Sequence, residues 1–149
     1  MRLPADGRCQ CGQVSFQLAA EPLFIYACHC LDCQKRTGSA FSMGLIVLGD
    51  TVSVAGDLTP WTRTSDDGHT NTRHSCAGCG NIIYGDSSAS PGVWKLQAGI
   101  LDDTSGLSPH VHLWTCRKQD WVTLPADAAQ FDTQPEDLSE LLSPGPAAD

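Results

Sequence analysis

The sequence predicts a mainly β domain assembled from several small sheets. Short segments rich in β-branched and aromatic residues recur along the chain, and Gly, Asp, Asn and Pro punctuate them at short intervals. Long runs with helical periodicity are nearly absent. A third observation, eight cysteines in 149 residues, indicates how so turn-rich a chain could be held together.

Taken in order, the strand segments are QVSFQL, LFIYA, FSMGLIVL, TVSVAG, NTRHS, NIIY, VWKLQAG, HVHLW and WVTL. Turns fall between them at GDT, AGD, SDDGHTN and DDTSGLSP. The helical candidates are the stretch after Cys33 and EDLSELL near the C-terminus. SPGPAAD offers nothing to bury, so a tail over residues 136–149 is expected to fray. No repeat or linker interrupts the rest, and one domain is expected over residues 1–135.

The net charge of −8, with bases scattered singly or in pairs, argues against DNA or RNA as a partner. A small anionic ligand could still bind where a few bases converge. No apolar run is long enough to cross a bilayer, and MRLPADGRCQC lacks the apolar stretch of a secretory signal. A soluble, cytoplasmic protein without a membrane partner is the expectation.

In the reducing cytosol, clustered C-x-C and C-x-x-C spacings point to metal, with disulfides the disfavoured alternative. In an extended strand residues i and i+2 face the same way, so Cys9 and Cys11 can present both thiolates to one point. Cys76 and Cys79, with Gly78 and Gly80 about the second cysteine, have the form of a zinc knuckle. Together the two pairs make a four-cysteine tetrahedron, the usual closed structural zinc site. It would tie the start of the chain to its middle.

Cys28, Cys30 and Cys33 remain. Alternation puts Cys28 and Cys30 on one side of a strand and His29 on the other. A turn through Leu31 and Asp32 would bring Cys33 back to join them. Three ligands leave a coordination position free, as a catalytic zinc requires. The alternative is a second closed site completed by Cys116, His69, His74, His110 or His112. A thioredoxin-type redox C-x-x-C is disfavoured, because that motif opens a helix after a strand in a βαβ setting not read here. Cys116 stands alone in HLWTCRKQDW and reads as an inert buried thiol.

Three cysteine motifs occur in order: G-x-C-x-C-G-x-V-x-F (Gly7 to Phe16), C-H-C-x-x-C-Q-K-x-T-G-S-A-F (Cys28 to Phe41) and C-x-x-C-G (Cys76 to Gly80). P-H-x-H-x-W (Pro109 to Trp114) and K-x-x-W (Lys118 to Trp121) follow. The pattern resembles the glutathione-dependent formaldehyde-activating enzyme family, which also includes centromere protein V. Ser75 and Asn81 depart from it, standing where an aromatic residue and Thr or Ser are more usual.

The resemblance implies a β-tent fold of small antiparallel sheets with two zinc ions. Carried over by motif, Cys9, Cys11, Cys76 and Cys79 hold the structural one, and Cys28, Cys30 and Cys33 the catalytic one. The implied reaction joins formaldehyde and glutathione into S-hydroxymethylglutathione and is classed with the carbon–sulfur lyases. The implied partners are a small-molecule thiol and an aldehyde, and a homodimer is admitted as an assembly.

Three thiolates about a zinc dication leave a net charge of about −1, which weakens Lewis acidity and favours a role in holding the incoming thiolate. Lys35 and Arg36, just past Cys33, could meet a glutathione carboxylate. Thr37 and Ser39 could supply hydroxyls and backbone donors. Two other readings stand beside this one: a zinc-stabilised binding module without chemistry, and a zinc enzyme acting on another small carbonyl or imine compound.

Overall fold

The computed structural model describes residues 1–66, 68–135 and 141. The strands among them are β1 (Ala5–Arg8), β2 (Ser15–Leu18), β3 (Phe24–Cys28), β4 (Ser42–Leu48), β5 (Val52–Ala55) and β6 (Leu58–Thr64). They continue with β7 (Thr70–Cys76), β8 (Ile82–Ser87), β9 (Val93–Gln97), β10 (Val111–Leu113) and β11 (Ala129–Phe131), and a single α-helix, α1 (Leu31–Thr37), follows β3. The fold is mainly β, as expected. None of the described helices is long and apolar enough to cross a membrane.

The chain packs as two compact units. One comprises Met1–Leu23 and Leu45–Leu107, the other Phe24–Gly44 and the chain from Ser108 onward. In the first, β1, β2 and β5 form an antiparallel sheet with β2 in the middle. The β2 side chains alternate, Ser15 and Gln17 outward, Phe16 and Leu18 buried, the period-2 pattern of a half-buried strand. β1 alternates in burial too, but its one buried residue is Gly7, so no large apolar side chain marks it in the sequence. Its Gly7 lies under the Phe16 ring, where an added Cβ would come within 2.2 Å of the ring.

A meander of β6, β7, β8 and β9 completes this unit, all pairs antiparallel. β6 also escaped the sequence reading. Six of its seven residues, from Thr59 onward, are exposed without a break, so it shows no alternation, and Pro60 suits an edge strand. WVTL, conversely, is no strand. The Val122 N–H turns back to Gln119 O, and Pro125 has no N–H to continue a ladder.

In the second unit β10 lies between β3 and β11 and runs parallel to both, with Val111 opposite Tyr26, His112 opposite Ala27 and Leu113 opposite Cys28. Small antiparallel sheets were expected; these pairs are parallel because no hairpin connects β3 to β10. More than eighty residues separate them, which leaves direction free. All three β10 residues are buried, as in parallel strands covered on both faces.

Helix α1 bears out the candidate in the stretch after Cys33 but starts earlier, at Leu31, with Cys30 as its N-cap. A seven-residue helix is marginal alone, so its ends matter. The Cys30 sulfur accepts the Cys33 N–H at 3.4 Å, taking the place of the usual cap oxygen. Gly38 (φ 65°) closes the other end, its N–H on Gln34 O. EDLSELL and the tail lie outside the described residues apart from Leu141, which is buried.

Candidate metal centres

The first cluster belongs to the first unit. The sulfurs of Cys9, Cys11, Cys76 and Cys79 all lie within 4.8 Å of one another. Cys9 Sγ is 3.4 Å from Cys11 Sγ, and Cys11 Sγ is 3.7 Å from Cys76 Sγ. Strand alternation is not what brings Cys9 and Cys11 together. β1 ends at Arg8, and the two cysteines sit in a turn that Gly12 (φ 78°) closes with its N–H on Cys9 O at 3.0 Å. The second knuckle is similar: Cys76 ends β7, and Gly80 (φ 75°) returns its N–H to Cys76 O at 2.9 Å. Asn81 couples the knuckles, its side-chain oxygen accepting the Gln10 N–H at 2.7 Å.

Backbone donors also reach sulfur, as Val14 N–H does to Cys9 Sγ at 3.2 Å. Burial opposes ionisation of Cys9, yet this N–H and the neighbouring thiols bring its pKa down to about 6. Cys11 moves up to about 12: the Gln13 N–H favours its thiolate, but Cys9, burial and the remaining thiols outweigh that. Without a cation the cluster therefore shares its protons unevenly. Cys9, Cys11, Cys76 and Cys79 could together hold a dication, which would take the place of those protons.

The second cluster belongs to the second unit. Cys28 ends β3, Cys30 caps α1 and Cys33 lies in its first turn, and the three sulfurs fall within 4.8 Å of one another. The turn through Leu31 and Asp32 is thus the first turn of a helix. As in a thioredoxin-type motif, Cys30-x-x-Cys33 opens a helix after a strand. Cys28, a third thiol in the same cluster, distinguishes the arrangement from a simple dithiol.

Among the described residues no histidine or carboxylate joins these three sulfurs, nor does Cys116. Cys116 is exposed, not the buried thiol expected, because it sits in a short 3-10 turn after β10. Cys28 and Cys33 donate to Cys30, and with the Cys33 N–H they hold it, against burial, down to about 2. Cys28 is correspondingly pushed up.

His29 faces away from the sulfurs, as alternation requires. Its Nε2 lies 3.1 Å from Nδ1 of His112, and the ring packs near Phe41. Both imidazoles are pushed down, chiefly by burial. Tyr26, two residues before Cys28 on β3, is buried, and its phenol is pushed up by burial and then by the thiols. The sequence reading missed Tyr26, although its i, i+2 spacing to Cys28 was a usable signal. It also missed Ser42, for which no local signal exists.

Of the proposed substrate contacts, Lys35 and Ser39 are exposed. Arg36 is half-buried and donates through Nη2 to Ser42 Oγ, with the same nitrogen 3.8 Å from Cys33 Sγ. The Thr37 hydroxyl donates to Cys33 O at 2.9 Å and accepts the Ser39 N–H, which ties down the end of α1.

Residues 4–117 match the family model for glutathione-dependent formaldehyde-activating enzyme. A protein of Fusarium vanettenii, provisionally named as such an enzyme, is 32% identical over 80 residues. That match covers 52% of this chain and 42% of the relative, so the chain spans about two fifths of the relative's length. A crystal structure of a Rhodobacter sphaeroides protein shares the fold, with a TM-score of 0.53 at 21% identity over 70% of this chain and 91% of that one. With its cysteine knuckles and its three-thiol cluster at the head of α1, the chain belongs to the glutathione-dependent formaldehyde-activating enzyme family.

Proposed function

We propose that the protein is a zinc-dependent enzyme of the carbon–sulfur lyase type, joining a small aldehyde such as formaldehyde to glutathione or a related thiol. The observation that carries this reading is the second cluster: three sulfurs, with no fourth protein ligand among the described residues. Both donor sets suit zinc, which accepts four thiolates in closed sites and three protein ligands in open ones. Two ions per chain follow, a structural one on Cys9, Cys11, Cys76 and Cys79 and a catalytic one on Cys28, Cys30 and Cys33. Bound at the second cluster, zinc supplies a free coordination position and lowers the pKa of a thiol that takes it.

The chain's own residues do the rest. Strand β3 and helix α1 hold Cys28, Cys30 and Cys33 on rigid backbone, so the approach of the thiol is fixed. Lys35, exposed two residues past Cys33, offers a cation to a substrate carboxylate, and Ser39 an exposed hydroxyl beyond it. In the reaction the thiol sulfur forms a bond to the aldehyde carbon. The carbonyl π pair becomes the hydroxymethyl oxygen's, and that oxygen takes up the proton the thiol gives up. Tyr26 carries its phenol on the Cys28 face of β3, and burial keeps it protonated.

Exchange NMR on an equilibrium mixture of glutathione and hydroxymethylated glutathione tests this. Zinc-loaded protein should accelerate the exchange, and Cys30→Ser should abolish the acceleration. No acceleration by zinc-loaded wild type would defeat the glutathione assignment. Uptake of zinc at the second cluster without any such activity would favour the binding-module reading or another carbonyl substrate.

A further inference from the structure

We propose that Arg36 is a positioning residue of the three-thiol cluster: seated on Ser42, its guanidinium donates to Cys33 and makes that sulfur the weakest nucleophile of the three when metal is bound. The inference rests on the metal reading of the cluster given above. Its starting point is a direction. Surface arginines normally extend their head groups into water. Arg36 is half-buried and turns its Nη2 inward, to Ser42 Oγ and to Cys33 Sγ at 3.8 Å.

Two independent features fix that direction. On α1, Arg36 follows Cys33 by three residues, so the helix stacks one above the other on a single face. Ser42, at the head of β4, is 1% exposed, and its hydroxyl would lose its arginine partner if the side chain swung out. Leaving a buried hydroxyl unpaired is costly. The guanidinium is therefore held over one sulfur.

Its effect on that sulfur follows from charge. A hydrogen bond from a cation draws electron density away from a thiolate and lowers both its donor strength and its nucleophilicity. Among the described residues Cys28 and Cys30 receive no cationic side chain; the backbone donors on Cys30 Sγ are the neutral N–H groups of Cys33 and Asp32. The asymmetry has a use beside an aldehyde. An electrophile admitted to the site meets protein thiolates as well as the incoming thiol, and a ligand sulfur that reacted would leave the metal. Arg36 guards Cys33 against that and offsets part of the cluster's negative charge.

Alkylation of zinc-loaded protein by limiting iodoacetamide, read cysteine by cysteine by peptide mass spectrometry, tests the proposal. In Arg36→Gln, Cys33 should react about tenfold faster, the factor expected for losing one hydrogen bond to a charged group, with Cys28 and Cys30 little changed. Arg36→Lys should fall between, since an ammonium lacks the planar fork. Ser42→Ala frees the arginine without removing it and should accelerate Cys33 less. In cobalt-loaded protein the sulfur-to-cobalt charge-transfer band should move to lower energy in Arg36→Gln, an electronic change that mere loss of packing would not produce.

Unchanged Cys33 reactivity with superposable cobalt spectra would overturn the proposal, as would equal acceleration of all three cysteines. Failure of the three thiols to take up zinc or cobalt would instead overturn the metal reading beneath it. Glutathione turnover enters neither measurement.

Discussion

His29 Nε2 lies 3.1 Å from His112 Nδ1, joining two buried imidazoles of β3–α1 and β10. The rings stack at 22°, and the outer nitrogens, His29 Nδ1 and His112 Nε2, meet no hydrogen-bond partner among the described residues. Such a pair is stable only when neutral, one ring donating to the other, because a proton added here would be both buried and next to a second ring. The alternation that turns Cys28 and Cys30 toward one point turns His29 into this pair. Positioning the thiols and packing the histidines are one backbone event.

A pH dependence follows. The His112 pKa is lowered from the ordinary 6.5, chiefly by burial. Below about pH 6.5 the unfolded chain takes up a proton that the folded chain refuses, so stability is full above that value and falls as pH drops. Denaturation midpoints between pH 7.5 and 5.5 should decline more steeply for wild type than for His112→Phe. Both proteins keep the thiol clusters, so the difference isolates the imidazole. Equal slopes would mean that burial does not hold His112 neutral.

The two clusters should differ in what their loss does. Cys76→Ser removes one of four sulfurs tying the Cys9–Gly12 turn to the end of β7, and should cost about 3 kcal/mol or more. Cys30→Ser is milder for the fold, since serine's hydroxyl can still cap α1. It should lose one metal equivalent by elemental analysis while keeping its circular dichroism spectrum. Chelator should likewise strip the second cluster first. Equal unfolding of both variants would make both clusters structural.

Two glycines should rank in order. Gly80 (φ 75°) has open space around it, so Gly80→Ala pays only for a left-handed backbone, about 1 kcal/mol. At Gly56 (φ 107°) an added Cβ would also fall 2.3 Å from Gln13 O, a backbone atom that cannot swing aside. Gly56→Ala should cost about 3 kcal/mol in urea denaturation at constant metal content. The reverse ranking would show that the Gln13–Val14 backbone gives way easily.

If a thiol substrate brings a carboxylate to the head of α1, Lys35→Gln should raise KM for glutathione roughly threefold, the scale of one solvated ion pair, with kcat and zinc content unchanged. Neutral thiols should show no such change. An equal effect on charged and neutral thiols would remove Lys35 from substrate binding.

The cysteine clusters were legible because the chemistry is local. A knuckle needs two sulfurs and small residues within one turn, and C-x-C-G and C-x-x-C-G write that out at Cys9–Gly12 and Cys76–Gly80. β2, half-buried, announces itself through Phe16 and Leu18, whereas the exposed edge strand β6 leaves no such trace. The short helix at Cys33 was legible too, but not its start at a cysteine cap, which only the Cys30 backbone geometry reveals.

Spacing along the chain is enough to state which residue types share a turn or a strand face, because two or three backbone dihedrals decide it. The partners across space answer to a different physics. That His112 meets His29 depends on β10 running parallel to β3 with His112 opposite Ala27. That Arg36 faces Cys33 and not solvent depends on a buried hydroxyl at Ser42. Register and burial are properties of the whole packed chain, set by which surfaces leave water together, and no window of neighbouring residues contains them.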